Sequence, residues 1–253
     1  MSANPRRVKV LPEPRFAAYT GDRNKNTALG GYVTGETVII TGANGALSRA
    51  VVAAVRERGD DVVAIDLSFG ERAAGYRQLE LDLSDADAVA RAVGELERVD
   101  ALFNIAGGFA MGPTVHATSA DEWQAMFTMN VDTMRNMCAA VVPRMLAQGG
   151  GRIVNVGALS AREGQGNMGA YIAAKSTVMR LTETMAKELR GHGVNVNAVL
   201  PSIIDTPTNR ADMPDADHGK WVAPADLAQV ICFLGSPAAR AMHGALVPVC
   251  GLS

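Results

Sequence analysis

The sequence predicts an α/β fold in which a parallel sheet is covered by helices on both faces. From residue 36 onward, short β-branched apolar runs alternate with amphipathic helical segments. The runs show no polar alternation, so each strand is expected to be buried on both faces, as in a parallel sheet. The chain has 253 residues, of which 48% are apolar, and this favours one large domain over two small ones.

Composition argues against several classes of function. The formal net charge of −2 gives no reason to expect a nucleic-acid or membrane-surface partner. Cys138, Cys232 and Cys250 are widely separated in apolar runs and form neither metal-ligand nor disulfide spacing. We therefore expect reduced thiols, no metal site and a cytoplasmic location. The N-terminal residues lack the apolar core of a signal peptide, and no apolar run approaches the roughly 20 residues of a membrane span.

Residues 1–35 are predicted to form an irregular arm, and residues 36–253 the folded domain. Prolines interrupt any helix and glycines interrupt any strand pairing in this arm: Pro5, Pro12, Pro14, Gly21, Gly30 and Gly31. Two alternatives remain open for the arm. It is either disordered or packed on a neighbouring subunit.

Seven strands and five helical stretches are expected in the folded domain. The strands cover residues 36–41, 61–66, 76–84 with an end near Asp82, 100–108 with an end at a glycine pair, 151–157, 193–201 and 244–251. The helical stretches cover residues 49–59, 85–99, 119–148, 168–191 and 224–234. Pro143 and the three glycines at 149–151 are expected to close the third stretch.

The first strand–turn–helix unit predicts a dinucleotide site. Gly42, Gly45, Ala46 and Leu47 turn the backbone at the start of a helix, where unpaired amides and the helix dipole favour a pyrophosphate. Asp66 ends the second strand. A carboxylate there binds the two adenosine ribose hydroxyls and repels a 2′-phosphate, which favours NAD over NADP. The alternative for Asp66 is a turn or helix-cap residue.

Further polar residues and glycines fall at the carboxyl ends of the expected strands, where ligands bind in such sheets. They are Asp82, Asn104, Gly107, Gly108 and the region of Pro201. Bare glycines at 107 and 108 would let a ribose or a flat ring approach the backbone closely.

Tyr171 and Lys175 are the candidate proton-transfer pair. Residues four apart in a helix project from one face, one turn apart. A neighbouring ammonium favours the phenolate, so the pKa of Tyr171 is expected to be lowered toward neutrality. The alternative is an ordinary surface pair, because this spacing is common on exposed helices.

Several motifs occur in order along roughly residues 36–250: TGANGALS at 41–48, Asp66, LDLSD at 81–85, NIAGG at 104–108, Asn130, YIAAK at 171–175 and PSIIDT at 201–206. Together they resemble the short-chain dehydrogenase/reductase family. The resemblance implies one doubly wound Rossmann-type domain with a seven-stranded parallel sheet, assembled as a tetramer or dimer. It also implies hydride transfer between a nicotinamide and a carbonyl or alcohol.

The resemblance further implies a role for each matching residue. Tyr171 would be the general acid/base, Lys175 would lower its pKa and hold the nicotinamide ribose, and Asn130 would hold a relay water. The implied cofactor contacts are Gly42, Asn44, Gly45, Ala46 and Leu47 in the turn, Asp66 at the ribose, Asp82 and Leu83 by the adenine, Asn104, Ala106 and Gly107 along the adenosine ribose, and Ile204 and Thr206 at the nicotinamide carboxamide, near Pro201.

Three positions depart from the family pattern. Ala46 and Ser48 stand where the usual turn TGxxxGxG has glycine. Ala158 stands thirteen residues before Tyr171, where the family has a serine that hydrogen-bonds the substrate oxygen, and Ser160 lies two residues further on. These departures, with NIAGGFAMG at 104–112 and residues 199–221, also resemble the dihydropteridine reductases. Those enzymes reduce a quinonoid pterin with NADH and use the tyrosine and lysine alone.

Two hypotheses of function follow. The first is an NAD(H)-dependent oxidoreductase acting on a small carbonyl, alcohol or quinonoid compound, with Tyr171 exchanging the proton. The alternative is a catalytically weak dinucleotide-binding sensor or scaffold, which Ala158 and Ser48 would favour. The intact Tyr171, Lys175 and Asn130 favour the first.

Overall fold

The parallel sheet is built from short, apolar strands, as the sequence predicts. The computed structural model describes residues 27–28, 32–33, 35–70 and 75–253. Its strands are β1 Thr27–Ala28, β2 Tyr32–Val33, β3 Thr37–Thr41, β4 Asp61–Asp66, β5 Arg77–Glu80, β6 Ala101–Asn104, β7 Gly151–Val156, β8 Val194–Pro201 and β9 Leu246–Val249. The main sheet has seven strands in the order β5-β4-β3-β6-β7-β8-β9, and every pairing in it is parallel.

Helices cover both faces of this sheet. They are α1 Ala46–Glu57, α2 Ala86–Gly94, α3 Ala120–Phe127, α4 Thr133–Ala147, α5 Gly169–Leu189, α6 Pro207–Asp212 and α7 Pro224–Leu234. Buried apolar residues of α1 and α7 form a core on one face of the sheet, and those of α2, α4 and α5 form a second core on the other. The predicted doubly wound Rossmann-type domain is therefore confirmed. Of the described helices, none is long and apolar enough to cross a membrane.

The strand order reverses between β3 and β6, and this reversal positions the site. The connection from β3 leads to one side of the sheet and the connection from β6 to the other. A crevice therefore opens at the carboxyl ends of these strands, where open α/β sheets bind ligands.

The expectation that glycines prevent strand pairing in the arm of residues 1–35 is wrong at one place. Thr27–Ala28 pairs antiparallel with Tyr32–Val33, although the sequence between them contains two of the glycines expected to prevent pairing. Glycine also suits the tight connections of short hairpins, so it does not exclude pairing across itself. The other predictions for the arm fall on residues 1–26, 29–31 and 34, outside the described residues. The boundary at residue 36 stays a prediction.

Several predicted ends of elements are also wrong. Pro143 does not close its helix but lies inside α4, which continues to Ala147. An internal proline costs a helix about 3 kcal/mol, and burial of Val141 and Met145 beside it offsets that cost. The strand expected to reach the glycine pair at 107–108 ends at Asn104, and the strand expected to end near Asp82 ends at Glu80. Gly151 begins β7, which confirms the predicted start of the strand at 151–157, so of the three glycines only Gly149 and Gly150 lie between the helix and the strand. The sequence also missed α6.

Candidate active site

A cleft of about 2070 Å³ lies at the carboxyl ends of the strands. It brings together residues from most of the predicted motifs. Of the predicted site residues, those that line it are Gly42, Asn44, Gly45, Ala46, Leu47, Asp66, Asp82, Leu83, Ala106, Gly107, Tyr171, Lys175, Pro201, Ile204 and Thr206. Asn104 and Asn130 are buried beneath this surface, with 5% and 2% exposure.

The turn after β3 approaches the backbone of the loop after β6 too closely for any residue but glycine. Gly42 has a φ of 62°, and a Cβ built there would lie 2.9 Å from the Cα of Ala106. Gly45 is the N-cap of α1 and supplies no capping side chain, so no side-chain hydrogen bond occupies the amides of the first turn. The geometry suits a pyrophosphate at this helix end.

Ser48, which departs from the usual glycine, is accommodated by the fold. Its hydroxyl donates a hydrogen bond of 3.4 Å to the carbonyl of Thr41, and the residue is only 1% exposed. The Thr41 hydroxyl in turn accepts hydrogen bonds of 3.0 Å from the amides of Ile105 and Ala106. The two hydroxyls therefore join α1, β3 and the loop after β6.

The carboxylate of Asp66 is held at the end of β4 by two backbone amides. Oδ2 accepts a hydrogen bond of 2.9 Å from the amide of Asn44, and Oδ1 accepts one of 2.7 Å from the amide of Leu67. The Asn44 side chain donates to the Ser68 carbonyl at 3.2 Å and accepts from Arg49 at 2.8 Å. These contacts orient the carboxylate at the edge of the cleft.

Asp82 and Leu83 line the same end of the cleft. Asp82 accepts hydrogen bonds from the amide of Ser84 at 2.8 Å and from its hydroxyl at 2.7 Å. These two bonds hold the pKa of the Asp82 carboxyl below its usual value. Leu83 is buried beside it and gives that end of the cleft an apolar wall.

The side chain of Asn104 points into the protein and not into the cleft. Its amide nitrogen donates a hydrogen bond of 2.9 Å to the side-chain oxygen of Asn155, and the Asn155 amide nitrogen donates one of 2.8 Å to the hydroxyl of Thr182. This polar chain links β6, β7 and α5 under the cleft. A contact of Asn104 with the adenosine ribose would therefore have to come from its backbone.

Tyr171 and Lys175 lie on one face of α5, as the spacing predicts, and both line the cleft. The Lys175 ammonium donates a hydrogen bond of 2.9 Å to the carbonyl of Val156 at the end of β7. A Cβ built on Gly107 would lie 3.2 Å from Lys175 Nζ and 2.7 Å from the Asn130 side-chain oxygen. Lys175 and Asn130 therefore border the same glycine from two sides.

Asn130 lies in a π-helical turn, Thr128–Asp132, between α3 and α4. Its side-chain oxygen accepts a hydrogen bond of 3.1 Å from the amide of Gly108, and its amide donates 3.0 Å to the Met126 carbonyl. A π turn breaks the regular helical register and is frequent at functional sites. Here it turns Asn130 toward the loop after β6.

The pKa of Tyr171 is not lowered, which corrects the expectation from sequence. Burial raises the pKa of Tyr171 to about 12 and lowers the pKa of Lys175 to about 8. Desolvation disfavours the charged form of each group, and this outweighs the attraction between an ammonium and a phenolate. Tyr171 is therefore a protonated phenol near neutral pH.

Ala158 occupies the place of the family's serine and offers no hydroxyl. It is 4% exposed and packs with Ala161, Met179 and Leu200 against the ring of Tyr171. Ser160 lies in the following 3₁₀ turn, Leu159–Arg162, and lines the cleft at intermediate exposure.

Thr206 caps α6 and lines the cleft with Ile204. Its hydroxyl accepts a hydrogen bond of 3.2 Å from the amide of Asn209, and the Asn209 side chain donates 2.7 Å to the Ile204 carbonyl. Asp205 forms a two-point ion pair with Arg210 on the outer side. Together these bonds shape the loop between β8 and α6.

Sequence reasoning missed Phe109, Met129 and the carbonyl of Val156. The Phe109 ring meets the Tyr171 ring edge to face, with centroids 4.9 Å apart. Met129 lines the cleft beneath Gly108. A large aromatic directly after a glycine pair was the available signal for Phe109. No local sequence signal identifies the Val156 carbonyl, because its hydrogen-bond partner, Lys175, lies on a helix 19 residues later in the chain.

Comparison with known proteins identifies the class. The family model for short chain dehydrogenase matches residues 36–217. The chain therefore belongs to the short-chain dehydrogenase/reductase family, and its class is that of the oxidoreductases. D-threitol dehydrogenase of Mycolicibacterium smegmatis is 30% identical over 83% of this chain and 90% of its own.

Solved structures of relatives hold either form of the cofactor. A proposed NAD(P)-dependent gluconate 5-dehydrogenase from Beutenbergia cavernae, with NADP at low occupancy, has a TM-score of 0.79, 30% identity and coverage of 87% of this chain and 97% of its own. Carveol dehydrogenase from Mycobacterium avium, in complex with NAD, has a TM-score of 0.76, 27% identity and coverage of 87% and 98%. Nicotinamide dinucleotide binding is thus supported for this chain. A turn without a side chain at Gly42, and a start of α1 without a side-chain cap, fit the pyrophosphate of a dinucleotide.

Proposed function

We propose that this chain is an NAD(H)-dependent oxidoreductase that transfers a hydride between the nicotinamide and a carbonyl, alcohol or quinonoid compound. The observation on which the proposal mainly rests is the cluster of Tyr171, Lys175 and Asn130 beside the cleft at the ends of β6 and β7. A protonated phenol that lines the cleft beside these two side chains supports the proposal, because a general acid must reach the substrate oxygen.

The chain's own residues would hold the dinucleotide along the crevice. The pyrophosphate would be bound by the turn of Gly42, Asn44, Gly45, Ala46 and Leu47, and the adenosine ribose hydroxyls by Asp66. The adenine would lie against Asp82 and Leu83, and the adenosine ribose along the backbone of Asn104, Ala106 and Gly107. The nicotinamide end would be bound by Pro201, Ile204 and Thr206. When bound and reduced, the nicotinamide supplies a hydride.

Tyr171 would complete the reaction as general acid. As the hydride reaches the carbonyl carbon, the electron pair of the C=O π bond moves to oxygen and takes the Tyr171 proton, so that an alcohol forms. Alcohol oxidation is the reverse, with Tyr171 accepting the proton. Lys175 would hold the ribose through its ammonium and favour the phenolate that results. Asn130, fixed by Gly108 and Met126, would hold a relay water near Lys175.

We propose NAD over NADP because the Asp66 carboxylate is fixed in place by the amides of Asn44 and Leu67. A carboxylate oriented by two amides accepts ribose hydroxyls and repels a 2′-phosphate. We also propose a cytoplasmic tetramer or dimer, as is common in the family.

The substrate proposal includes quinonoid rings because Ala158 leaves Tyr171 as the main donor to the substrate oxygen. A quinonoid ring is electrophilic and needs less polarisation than a ketone. A quinonoid pterin, the substrate of the dihydropteridine reductases, is therefore the second candidate beside ordinary carbonyls.

A turnover screen with NADH separates the enzyme from the sensor or scaffold alternative. Carbonyl and quinonoid compounds are offered with NADH, and loss of NADH absorbance is followed for the unaltered protein and for Tyr171→Phe. Turnover that falls about 10²–10⁴-fold in Tyr171→Phe, with NADH binding retained, supports the proposal. NADH binding without turnover of any compound would favour the sensor. The activity of the family and the intact Tyr171 and Lys175 weigh against that alternative.

A further inference from the structure

The half of the cleft beyond Tyr171 is apolar, although soluble proteins seldom cluster exposed apolar side chains. Large apolar side chains that are exposed and line this half are Phe109, Met111, Met129, Ile203 and Met213. Phe109 and Met111 are 56% and 63% exposed. Such a concentration around one cleft marks a surface that binds an apolar partner.

Several polar side chains of this half are already used by the protein or lie in solvent. The hydroxyl of Thr133 donates to the Met129 carbonyl at 2.9 Å, and the amide of Asn209 donates to the Ile204 carbonyl at 2.7 Å. The charged side chains lining it, Arg162, Glu163 and Asp212, are exposed in the described structure. A polyhydroxylated substrate needs convergent buried donors and acceptors, and this half of the cleft offers few of them.

A side pocket of about 170 Å³ adjoins the cleft next to Tyr171. The two spaces lie next to each other, because both are lined by Ala110, Met111, Ala125, Met168 and Tyr171. The rest of the wall is mainly apolar: it consists of Gly112, Pro113, Met126, Gly169 and Ala170 together with the polar Thr118, Glu122 and Asn167.

Two of the three polar side chains in the side-pocket wall are also engaged. The Glu122 carboxylate accepts from the amide of Ser119 at 2.9 Å and from its hydroxyl at 2.7 Å, and the Thr118 hydroxyl donates to the Thr114 carbonyl at 3.2 Å. Since a water occupies roughly 30 Å³, the side pocket has room for a group of a few carbon atoms.

We infer that the substrate is an apolar cyclic ketone or alcohol that carries a short alkyl branch beside the reacting carbon, with the branch seated in the side pocket. The ring lies between Phe109 and the methionines, and the oxygen meets the Tyr171 hydroxyl. Polarisable methionine side chains suit such a ring. The inference rests on the proposed function. It differs from what the sugar-related names of several relatives would imply.

The test compares three ketones with NADH: cyclohexanone, 2-propylcyclohexanone and an open-chain ketohexose. Each methylene buried is worth about fourfold, so kcat/KM for the propyl compound is expected to exceed that for cyclohexanone at least about tenfold. The ketohexose is expected to be the poorest of the three. Equal kcat/KM for the two cyclic ketones, or preference for the ketohexose, would overturn the inference.

Side-pocket variants locate the preference. Ala170→Leu and, from the opposite wall, Ala125→Leu should bring the propyl-to-unsubstituted ratio close to one. Ala53→Leu is the matched control, because Ala53 is exposed on α1 and lines neither space, and it should keep the ratio. Two side-pocket variants are used so that the test still works if one of them misfolds. NADH binding by each variant shows whether it is folded. A ratio that persists in both folded variants would place the branch elsewhere and contradict the inference.

A binding measurement separates this inference from the proposed function. Calorimetry with NAD⁺ present compares 2-propylcyclohexanol with cyclohexanol. If no ketone is turned over, the proposed function fails, and the inference is still judged by whether the propyl alcohol binds at least about tenfold tighter. If turnover occurs without that difference in kcat/KM or Kd, the inference alone fails.

Discussion

The phenol of Tyr171 and the amine of Lys175 are both largely buried, and their ionisation follows from that burial. A pKa of about 12 keeps Tyr171 protonated, so it can donate a proton at neutral pH without any charged partner. A pKa of about 8 leaves Lys175 mostly charged near neutrality but close to losing its proton. At the residue scale, burial therefore keeps Tyr171 protonated near neutral pH and brings the Lys175 amine closer to losing its proton.

Lys175→Met tests this ionisation through stability. The unfolded lysine has a pKa near 10.5 and the folded one about 8, so between these values the unfolded state binds more protons and stability rises with pH. Relative to Lys175→Met, the free energy of unfolding of the unaltered protein should increase by about 2–3 kcal/mol between pH 7 and pH 10. Urea unfolding at a series of pH values measures it. Parallel curves for the two proteins would show that the amine is not desolvated.

Asp66→Ala tests the proposed choice of cofactor. It removes the repulsion of a 2′-phosphate and the ribose hydrogen bonds together. The ratio of kcat/KM for NADH over NADPH should therefore fall about 10–100-fold, since a hydrogen bond to a charged group contributes about 1.5–3 kcal/mol. Steady-state kinetics with both cofactors measure the ratio. Equal or better use of NADPH by the unaltered protein would contradict the proposal.

Ala158→Ser tests how the site works without the family's serine. One added donor can contribute about 3 kcal/mol to a transition state, so turnover of ordinary ketones should rise. An electrophilic quinonoid substrate should gain nothing, and a buried unpartnered hydroxyl costs about 1–3 kcal/mol. Ser160→Ala is the control with the same substrates. A loss there as large as that in Tyr171→Phe would show that Ser160 has taken over the missing role.

At the scale of elements, the turn between β3 and α1 depends on close approach of backbone to backbone. Gly42→Ala adds a Cβ 2.9 Å from Ala106 Cα at a φ of 62°. Gly35→Ala is a matched control, because Gly35 also has a positive φ, of 80°, and nothing lies within 4 Å of its added Cβ. In both variants the free energy of unfolding should fall by roughly 1–2 kcal/mol, the cost of placing a residue with a Cβ in the left-handed region. Thermal unfolding measures this loss. Only Gly42→Ala should also weaken NADH binding. Equal NADH affinity in both variants would show that the close approach is unimportant.

At the scale of the whole molecule, an ion pair stabilises the end of the sheet opposite the cleft. Arg152 of β7 lies 2.6 Å from Glu36, just before β3, and both side chains are largely buried. Burial raises the pKa of Glu36 in spite of Arg152. The pair thus joins two strands that are separated by β6 in the sheet order.

Breaking this pair should destabilise the fold without altering the site. Glu36→Leu leaves a buried guanidinium without its partner and should cost about 3–5 kcal/mol. The double variant Glu36→Leu/Arg152→Met should recover most of that loss, because two apolar side chains need no partner. Chemical unfolding measures stability, and kcat below the unfolding transition should stay unchanged in both. A double variant no more stable than Glu36→Leu would contradict this expectation.

The sequence by itself determined the sheet and much of the cleft. The alternation of apolar runs with helical periodicity is local, so all seven strands of the main sheet could be predicted, with errors only at their ends. Asp66 at the end of β4 and the Tyr171–Lys175 spacing are also local, and both lie in the cleft as expected. Both features can be recognised from a few neighbouring residues, so predicting them requires no information about distant segments of the chain.

Only the tertiary structure decided the environment of those residues. The pKa of Tyr171 rises and does not fall, because desolvation depends on atoms contributed by distant parts of the chain. Asn104 turns inward because Asn155, itself bonded to Thr182, offers a hydrogen-bond partner there. Pro143 is tolerated inside α4 because packing against the sheet offsets its local cost. These outcomes depend on which segments meet in space, and local sequence patterns do not encode that.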